Sequence, residues 1–453
     1  MPHAETNRPL ADRRHVVVVG LGRTGLSCAR FLAARGERVV VTDSRVRPPE
    51  LAGLQDLTTR VETRLGGFDE RLLDDARQVV VSPGVPLSEP FLRRAAARGL
   101  EIVGDIELFA RAVAGPVVGV TGTNGKSTVT TLLARMAAAD GRRVRAGGNL
   151  GEPALELLAD DATELYVLEL SSYQLETTLS LKLRAATILN ITPDHLDRYA
   201  DVGEYAAAKA RILDRCDVAV LNSDDARVME LKRPGQRTLT FSIEPQRAAD
   251  YTIARLDAGD VALLRRGERL LAASELKING LHNVANALAA LAVGEAIGLA
   301  DRSMLAALRD FPGLAHRTQW IAEIDGVRYV DDSKGTNVGA TLAAVAGFTG
   351  PLVLIAGGDG KNQDFTPLAG AFRGKVRHSV LIGRDAPALA GALGGACALS
   401  FGASMEDAVR RARAVARPGD TVLLSPACAS FDMFRDYRER GEAFAAAVRS
   451  LAR

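Results

Sequence analysis

Val117-Val118-Gly119-Val120-Thr121-Gly122-Thr123-Asn124-Gly125-Lys126-Ser127-Thr128 runs from a short apolar stretch into a glycine-rich loop that opens a helical pattern. Val117–Val120 predicts a strand, because β-branched residues dominate it and a turn signal follows. Amides of such a loop cradle phosphates. Lys126 can reach the β- and γ-phosphates, and Ser127 or Thr128 can ligate Mg²⁺. The strict G-x-x-x-x-G-K-[S/T] pattern is not met, since Val120 stands five residues before Gly125. Strand, Gly-Lys-Ser and helix together still read as a phosphate site.

Working outward, the same alternation repeats along the chain. Further strands are predicted at Val16–Val19, Arg38–Thr42, Gln78–Val81, Leu165–Leu168, Ala186–Leu189, Val218–Leu221, Val327–Val330, Leu352–Ile355, Val376–Leu381 and Thr421–Leu424. Ala/Leu/Arg helical stretches separate them, which predicts α/β domains with parallel sheets. A length of 453 residues suggests about three domains. Breaks at Arg111–Pro116 and Phe311–Arg317 place them at 1–112, 113–312 and 313–453. The polar, strand-like region 237–278 reads as a subsidiary sheet inside the middle domain.

Composition narrows the class. Lys+Arg is 57 against Asp+Glu 55, a net charge of +2, which argues against a general nucleic-acid binder. Only eight of the basic residues are lysine, so each lysine is worth inspecting for chemistry that arginine cannot do. Cys28, Cys216, Cys397 and Cys428 are far apart and fit a reducing, cytoplasmic setting. The apolar run His15–Gly20 is too short for a signal segment. The stretch Ala285–Ala300 carries Asn286 and Glu295 and reads as a buried helix, not a membrane span.

Several loops after predicted strands carry chemistry. Gly20-Leu21-Gly22-Arg23-Thr24-Gly25, with Asp43 at the next strand's end, has the form of a diphosphate-binding turn. By itself it fits NAD, FAD, a UDP-sugar or a plain tight turn. Ser82-Pro83-Gly84-Val85-Pro86 is either a ligand loop or a rigid turn. Glu169 is a candidate Mg²⁺ ligand or a cap. Asp194, His195 and Asp197 crowd one loop as structural groups or ligands. Lys209 falls on a predicted helix 14 residues after His195.

Taken in order, T-G-T-N-G-K-S-T (Thr121–Thr128), E-L-S-S-Y-Q-L-E (from Glu169), N-I-T-P-D-H-L-D-R-Y (from Asn190), Lys209 and His282-Asn283-Val284-Ala285-Asn286 resemble the Mur ligases. These ATP-dependent enzymes build the peptide stem of bacterial cell-wall precursors. D-D-S-K-G-T-N (from Asp331), G-G-D-G-K (from Gly357) and S-P-A-C-A-S-F-D (from Ser425) are similar to the MurD-type branch, which adds D-glutamate. The D-N-P-R motif of the diaminopimelate-adding members is absent. The resemblance runs from Gly20 to about Gly441. It implies a Rossmann-like N-terminal domain, a central P-loop-type ATPase domain and a Rossmann-like C-terminal domain.

It also implies site residues. Gly22, Arg23, Thr24, Asp43, Ser44, Arg45, Ser82, Gly84, Asn149, Ser171, Gln174 and Arg198 would serve the UDP-linked substrate. Gly122, Thr123, Asn124, Gly125, Lys126, Ser127, Thr128, Asn283, Asn286, Arg317 and Asp332 would hold ATP. Ser127, Glu169, His195 and Lys209, the lysine as a CO₂-derived carbamate, would bind magnesium, with two ions expected. Lys126, His195 and Lys209 would carry the catalysis. Lys334, Thr336, Lys361, Ser430, Phe431 and Tyr437 would take glutamate. Tyr437 stands where the family often has Phe, and Arg23 where the position is often apolar.

The implied reaction is a cytoplasmic, two-step ligation by a monomer with no membrane or nucleic-acid partner. ATP phosphorylates the carboxylate of UDP-N-acetylmuramoyl-L-alanine, and the D-glutamate amine attacks the acyl phosphate through a tetrahedral intermediate. Besides a non-catalytic or regulatory P-loop protein, two alternatives stand beside it. One is a related ligase adding L-glutamate or another amino acid. The other is an NAD-dependent oxidoreductase built on Gly20–Gly25 and Asp43, which leaves Thr121–Thr128 unexplained.

Overall fold

The computed structural model describes residues 14–57, 60–160, 162–256, 260–278, 280–348 and 350–451. The ends of the predicted outer domains, 1–13 and 452–453, and residues 257–259 of the strand-like region lie outside the described residues. The chain forms two compact units, Met1–Val117 with Arg145–Leu183, and Val118–Val144 with Arg184–Arg453.

The first unit is built on β1 (His15–Val19), β2 (Val39–Asp43), β3 (Val61–Leu65), β4 (Ala76–Val81) and β5 (Glu101–Val103). They pair in parallel in the order β3-β2-β1-β4-β5. Every residue of β1 and β2 is buried, as a central parallel strand covered on both faces requires. The order reverses between β1 and β4, and ligands of open α/β sheets bind outside the strand ends at such a point. The loops after β1 and β4 are the two that the sequence singled out.

The chain then passes through β6 (Val117–Thr121) and the helix Lys126–Ala139 of the second unit. It returns to the first for β7 (Val144–Gly148) and β8 (Leu165–Glu169), which are neighbours. In the first unit, Asp105 opens the helix Asp105–Ala112 and its Oδ2 accepts from Gln174 Nε2 at 2.9 Å, while its Oδ1 is buried. Burial pushes its carboxyl up to about 6. With the folded pKa raised, its contribution to stability is full below about pH 4 and is lost as pH rises through about 6. Asp105→Asn removes that loss. Urea titrations will show the variant losing about 1.5 kcal/mol less stability than the parent between about pH 5 and about pH 8. Parallel pH dependence of variant and parent would sink this account.

The second unit continues with β9 (Ala185–Ile188), β10 (Val218–Asn222), β11 (Arg237–Phe241), β12 (Tyr251–Arg255), β13 (Val261–Arg265) and β14 (Glu268–Ala272). Their order, with β6, is β14-β13-β12-β11-β10-β9-β6. Region 237–278 is therefore not a subsidiary sheet. Its β11 pairs in parallel with β10, and β12 to β14 extend the same sheet as an antiparallel meander. The apolar stretch near 285–300 is the helix Leu281–Ala296, buried along most of its length. Among the described residues no helix is long and apolar enough to cross a membrane.

A six-stranded sheet completes this unit: β15 (Gln319–Ile324), β16 (Val327–Asp331), β17 (Leu352–Gly357), β18 (Val376–Ile382), β19 (Ala398–Phe401) and β20 (Thr421–Leu424). The order is β15-β16-β20-β17-β18-β19, and only the β15–β16 pair is antiparallel. On β17, Leu352, Leu354 and Ala356 enter one core while Val353 and Ile355 enter the other. That two-sided burial follows from the period of two along a strand.

Candidate active site

In the first unit the turn after β1 is tightly wound. Gly25 lies so close to the Gly20 carbonyl that any Cβ there would collide with it, which explains the last glycine of the motif. Ser82 Oγ donates to the same Gly20 carbonyl at 2.8 Å, joining the β1 and β4 loops. Asp43 is buried and accepts from Leu21 N at 2.7 Å and from Arg45 Nε and Nη2 at 2.9 and 2.7 Å. The Arg45 bond holds its carboxyl low, at about 2. Ser44 and Arg45 are exposed, as are Arg23 and Gly84, and Gly22, Thr24 and Ser82 are half-buried. Arg23 Nη2 donates to Gly151 O at 3.0 Å.

Two predicted substrate residues have structural duties here. Ser171 and Gln174 form a capping box on the helix Ser172–Glu176, and the Gln174 amide also serves Asp105. Glu169 ends β8, and Asn149 Nδ2 donates to its Oε1 at 2.6 Å. Glu169 Oε2 is buried with no hydrogen-bond partner among the described residues. A buried carboxylate oxygen left in that state favours a cation as its neighbour.

In the second unit the phosphate loop leaves the end of β6. Gly125 has φ +85°, and a Cβ there would strike the Asn286 amide. Lys126 Nζ sits over the loop, 2.9 Å from the Gly122 and Thr123 carbonyls. The loop is pinned to the segment after β9: Thr123 N donates to Asn190 O at 2.9 Å, and Asn124 N to Asn190 Oδ1 at 2.8 Å. Arg317 Nη2 donates to Ser127 Oγ at 2.6 Å. Asn124, Gly125, Thr128, Asn283, Asn286, Arg317, Asp332 and Lys334 line one cavity of about 250 Å³. Asp332 is buried, accepts from Ser425 Oγ at 2.9 Å, and is pushed up to about 7 by that burial.

Beside the loop, Lys209 is 1 % exposed, on the helix Val202–Ala210 that Asp201 caps. Its Nζ donates to Gly122 O at 3.0 Å and lies 4.4 Å above the Tyr205 ring. His195 takes a left-handed φ of 58°, and burial lowers its pKa against the pull of Asp194, leaving a neutral imidazole suited to a metal. Arg198 closes the turn, its N–H donating to His195 O at 3.0 Å. Among the described residues no cluster of three or more His, Cys, Asp or Glu side chains is arranged to hold a metal.

The loops after β16, β20 and β17, three adjacent strands, carry the predicted glutamate residues. Lys334 Nζ lies 4.3 Å over the Tyr437 ring. Lys361 Nζ is 3.9 Å from Asp194 Oδ1, so this loop reaches the segment after β9. Thr336 is half-buried, Ser430 is buried, and Phe431 is 71 % exposed. Motif reading passed over several groups. Asn337 caps the helix Val338–Gly347 and also bonds Asn124 and, at 3.1 Å, Asp194. Arg440, 1 % exposed, donates to Ser333 Oγ and O at 3.0 and 2.8 Å and to the Cys428 carbonyl at 3.1 Å. It ties the β16 and β20 loops together, and burial lowers its pKa to about 10. A lone arginine in a surface-like helical stretch gave no signal of this.

A phosphate loop, a nucleotide-sized cavity and adjoining lysine-bearing loops define a P-loop nucleotide-dependent enzyme. The chain belongs to the Mur ligase family. Residues 14–104 match the model "Mur ligase MurD-like, N-terminal domain", 120–294 the "Mur ligase middle domain", and 316–428 the "Mur ligase, glutamate ligase domain". It is 54% identical to a Nitrosococcus oceani protein named UDP-N-acetylmuramoylalanine--D-glutamate ligase, over 96% of each chain. A Methylococcus capsulatus protein of the same name is 50% identical over 97% of this chain and 95% of its own. The fold is shared with a pseudomurein peptide ligase type C from Methanothermus fervidus, at TM-score 0.64 and 18% identity over 97% of this chain and all of that one. It is shared too with MurF ligase from Thermotoga maritima, at TM-score 0.62 and 17% identity over 97% and 99%.

Proposed function

We propose that the chain ligates D-glutamate to UDP-N-acetylmuramoyl-L-alanine, with ATP hydrolysed to ADP and phosphate, in the assembly of the peptidoglycan precursor. The observation that carries this is its 54% identity, over 96% of both chains, to a protein of that name. The dinucleotide oxidoreductase reading falls away, because the N-terminal match is to a ligase domain and the phosphate loop lies elsewhere in the chain.

The chemistry needs an activated acid. ATP transfers its γ-phosphoryl group to the alanyl carboxylate, giving an acyl phosphate and ADP. The glutamate amine adds to the acyl carbon, loses a proton, and the tetrahedral intermediate expels phosphate. Loop amides and Lys126 meet the charge that builds on the phosphoryl oxygens. Asn283, Asn286 and Asp332 serve the nucleoside. Lys334, Lys361, Thr336 and Ser430 offer cations and hydroxyl donors to a dianionic amino acid. The Gly20–Gly25 and Ser82–Pro86 loops, with Ser44 and Arg45, serve the UDP group.

Magnesium, when bound, supplies positive charge to the phosphoryl group in flight. The candidate ligands are the buried Oε2 of Glu169 in the first unit, and Ser127, His195 and carbamylated Lys209 in the second. A monomer in the cytoplasm is the setting proposed. Phosphate release, with UDP-N-acetylmuramoyl-L-alanine and a panel of D- and L-amino acids, tests the reading. D-glutamate should give the dominant signal. Turnover with L-glutamate and none with D-glutamate would overturn the substrate assignment.

A further inference from the structure

We propose that the second unit holds a second small-molecule site, beside the nucleotide cavity, for a planar ring carrying one anionic group. A cavity of about 280 Å³ opens between the start of the helix Leu281–Ala296, strands β15 and β16, and the end of the helix Val338–Gly347. It shares only His282 and Thr318 with the lining of the nucleotide cavity.

Three of its features are unexplained by folding alone. Trp320 on β15 is 56 % exposed and, with Phe348, gives the cavity aromatic walls. An exposed tryptophan face is a stacking platform for a planar ring. Arg328, on the neighbouring strand β16, has no side-chain hydrogen bond or ion pair among the described residues. A guanidinium left open in an aromatic-lined cavity matches a carboxylate or phosphate.

The third feature is His282. Its Nδ1 is buried and has no hydrogen-bond partner among the described residues. That edge of the ring packs against Gly280 and Gly347. A Cβ added to Gly280 would come within 3.0 Å of Nδ1, and one added to Gly347 within 3.4 Å, and both glycines line the cavity. The opposite nitrogen, Nε2, lies 3.5 Å from Thr318 Oγ1. Burial holds the imidazole pKa down at about 4, so the ring is neutral. The neutral ring adds no charge to this wall, so Arg328 is the cation that an occupant meets. Stacking wall and open cation thus converge on one occupant: a flat ring with a negative charge.

Trp320 is the chain's single tryptophan, so 5-fluorotryptophan labelling gives one ¹⁹F resonance, and it reports on this cavity. The full chain, saturated with Mg²⁺ and adenylyl imidodiphosphate, is titrated with nicotinate. Nicotinamide serves as the uncharged isostere and acetate as the ringless anion. A saturable shift with nicotinate is expected, about tenfold or more weaker for nicotinamide and for the Arg328→Gln variant. Gly347→Leu, which fills the cavity, should abolish it. Should that variant fail to fold, Arg328→Gln still decides. An absent or unsaturable shift overturns the proposal. So does equal binding of nicotinamide, unchanged affinity in Arg328→Gln, or competition with the nucleotide analogue, which would make the cavity an annex of the nucleotide site.

Discussion

Lys126→Ala will lower kcat for phosphate release by about 10²–10³-fold while leaving the fold intact. The ammonium is held over the loop by two carbonyl bonds, to Gly122 and Thr123 at 2.9 Å each, and is only half-buried. At a half-exposed group, losing those bonds costs about 1–3 kcal/mol. Charge on the transferring phosphoryl group is a different matter, because it develops in a site where fixed dipoles replace water. Arginine will not rescue the variant. Its planar fork is larger than an ammonium and cannot approach the same pair of carbonyls and a phosphate oxygen as a point charge. Steady-state assays with each substrate varied, alongside thermal unfolding, check this. Turnover within tenfold of the parent would remove Lys126 from the chemistry. A collapse of Tm would move its role to folding.

The sequence was most legible where burial is two-sided. Each of the eleven strands read from apolar runs overlaps an observed one, because central parallel strands such as β1 and β17 are buried along their whole length. The strands not foreseen include β3, β5, β15 and β19, the edges of their sheets. Edge strands are half-exposed and carry mixed residues, as in Val-Glu-Thr-Arg-Leu of β3, so no apolar run marks them. The meander of β12 to β14 was seen as strands but misplaced as a separate sheet. Its join to β11 is the single pair Phe241–Tyr251, so the parallel sheet passes into the meander through a contact too slight to leave an apolar run.

Site residues divide in the same way. Phosphate-loop residues are legible because their spacing is local: Gly125 must take φ +85° one residue before Lys126. Asn337 lies 213 residues from Asn124 yet exchanges hydrogen bonds with it, and Arg440 acts through backbone carbonyls, which have no sequence identity to read. Asp43 and Gln174 show the converse. Both stand in recognisable motifs, and both are already engaged in holding loops together. Motif position marks where chemistry is concentrated. It does not say whether a side chain faces the ligand or braces the loop that does.

Lys209→Ala will lower turnover by about 10²-fold or more, and short carboxylates such as acetate will restore part of it. An ammonium that is 1 % exposed is costly to keep. One carbonyl of the phosphate loop and the Tyr205 ring stand against it, at 3.0 and 4.4 Å, beside the loop that Lys126 serves. Loss of one proton gives the neutral amine, and its reaction with CO₂ forms an N–C bond and releases a second proton, so that the cation becomes an anion. The product offers two oxygens to a hard cation. A purely structural lysine predicts something else: loss of stability, no response to acetate, and repair by an apolar residue of similar length. Lys209→Met therefore separates the two. It should fold as well as the parent and stay inactive without acetate. A resonance from ¹³C-bicarbonate that appears in the parent and is absent in both variants would place the carbamate on this side chain. Near-normal turnover of Lys209→Ala would remove Lys209 from the metal site, and full activity in Lys209→Met would reduce it to packing.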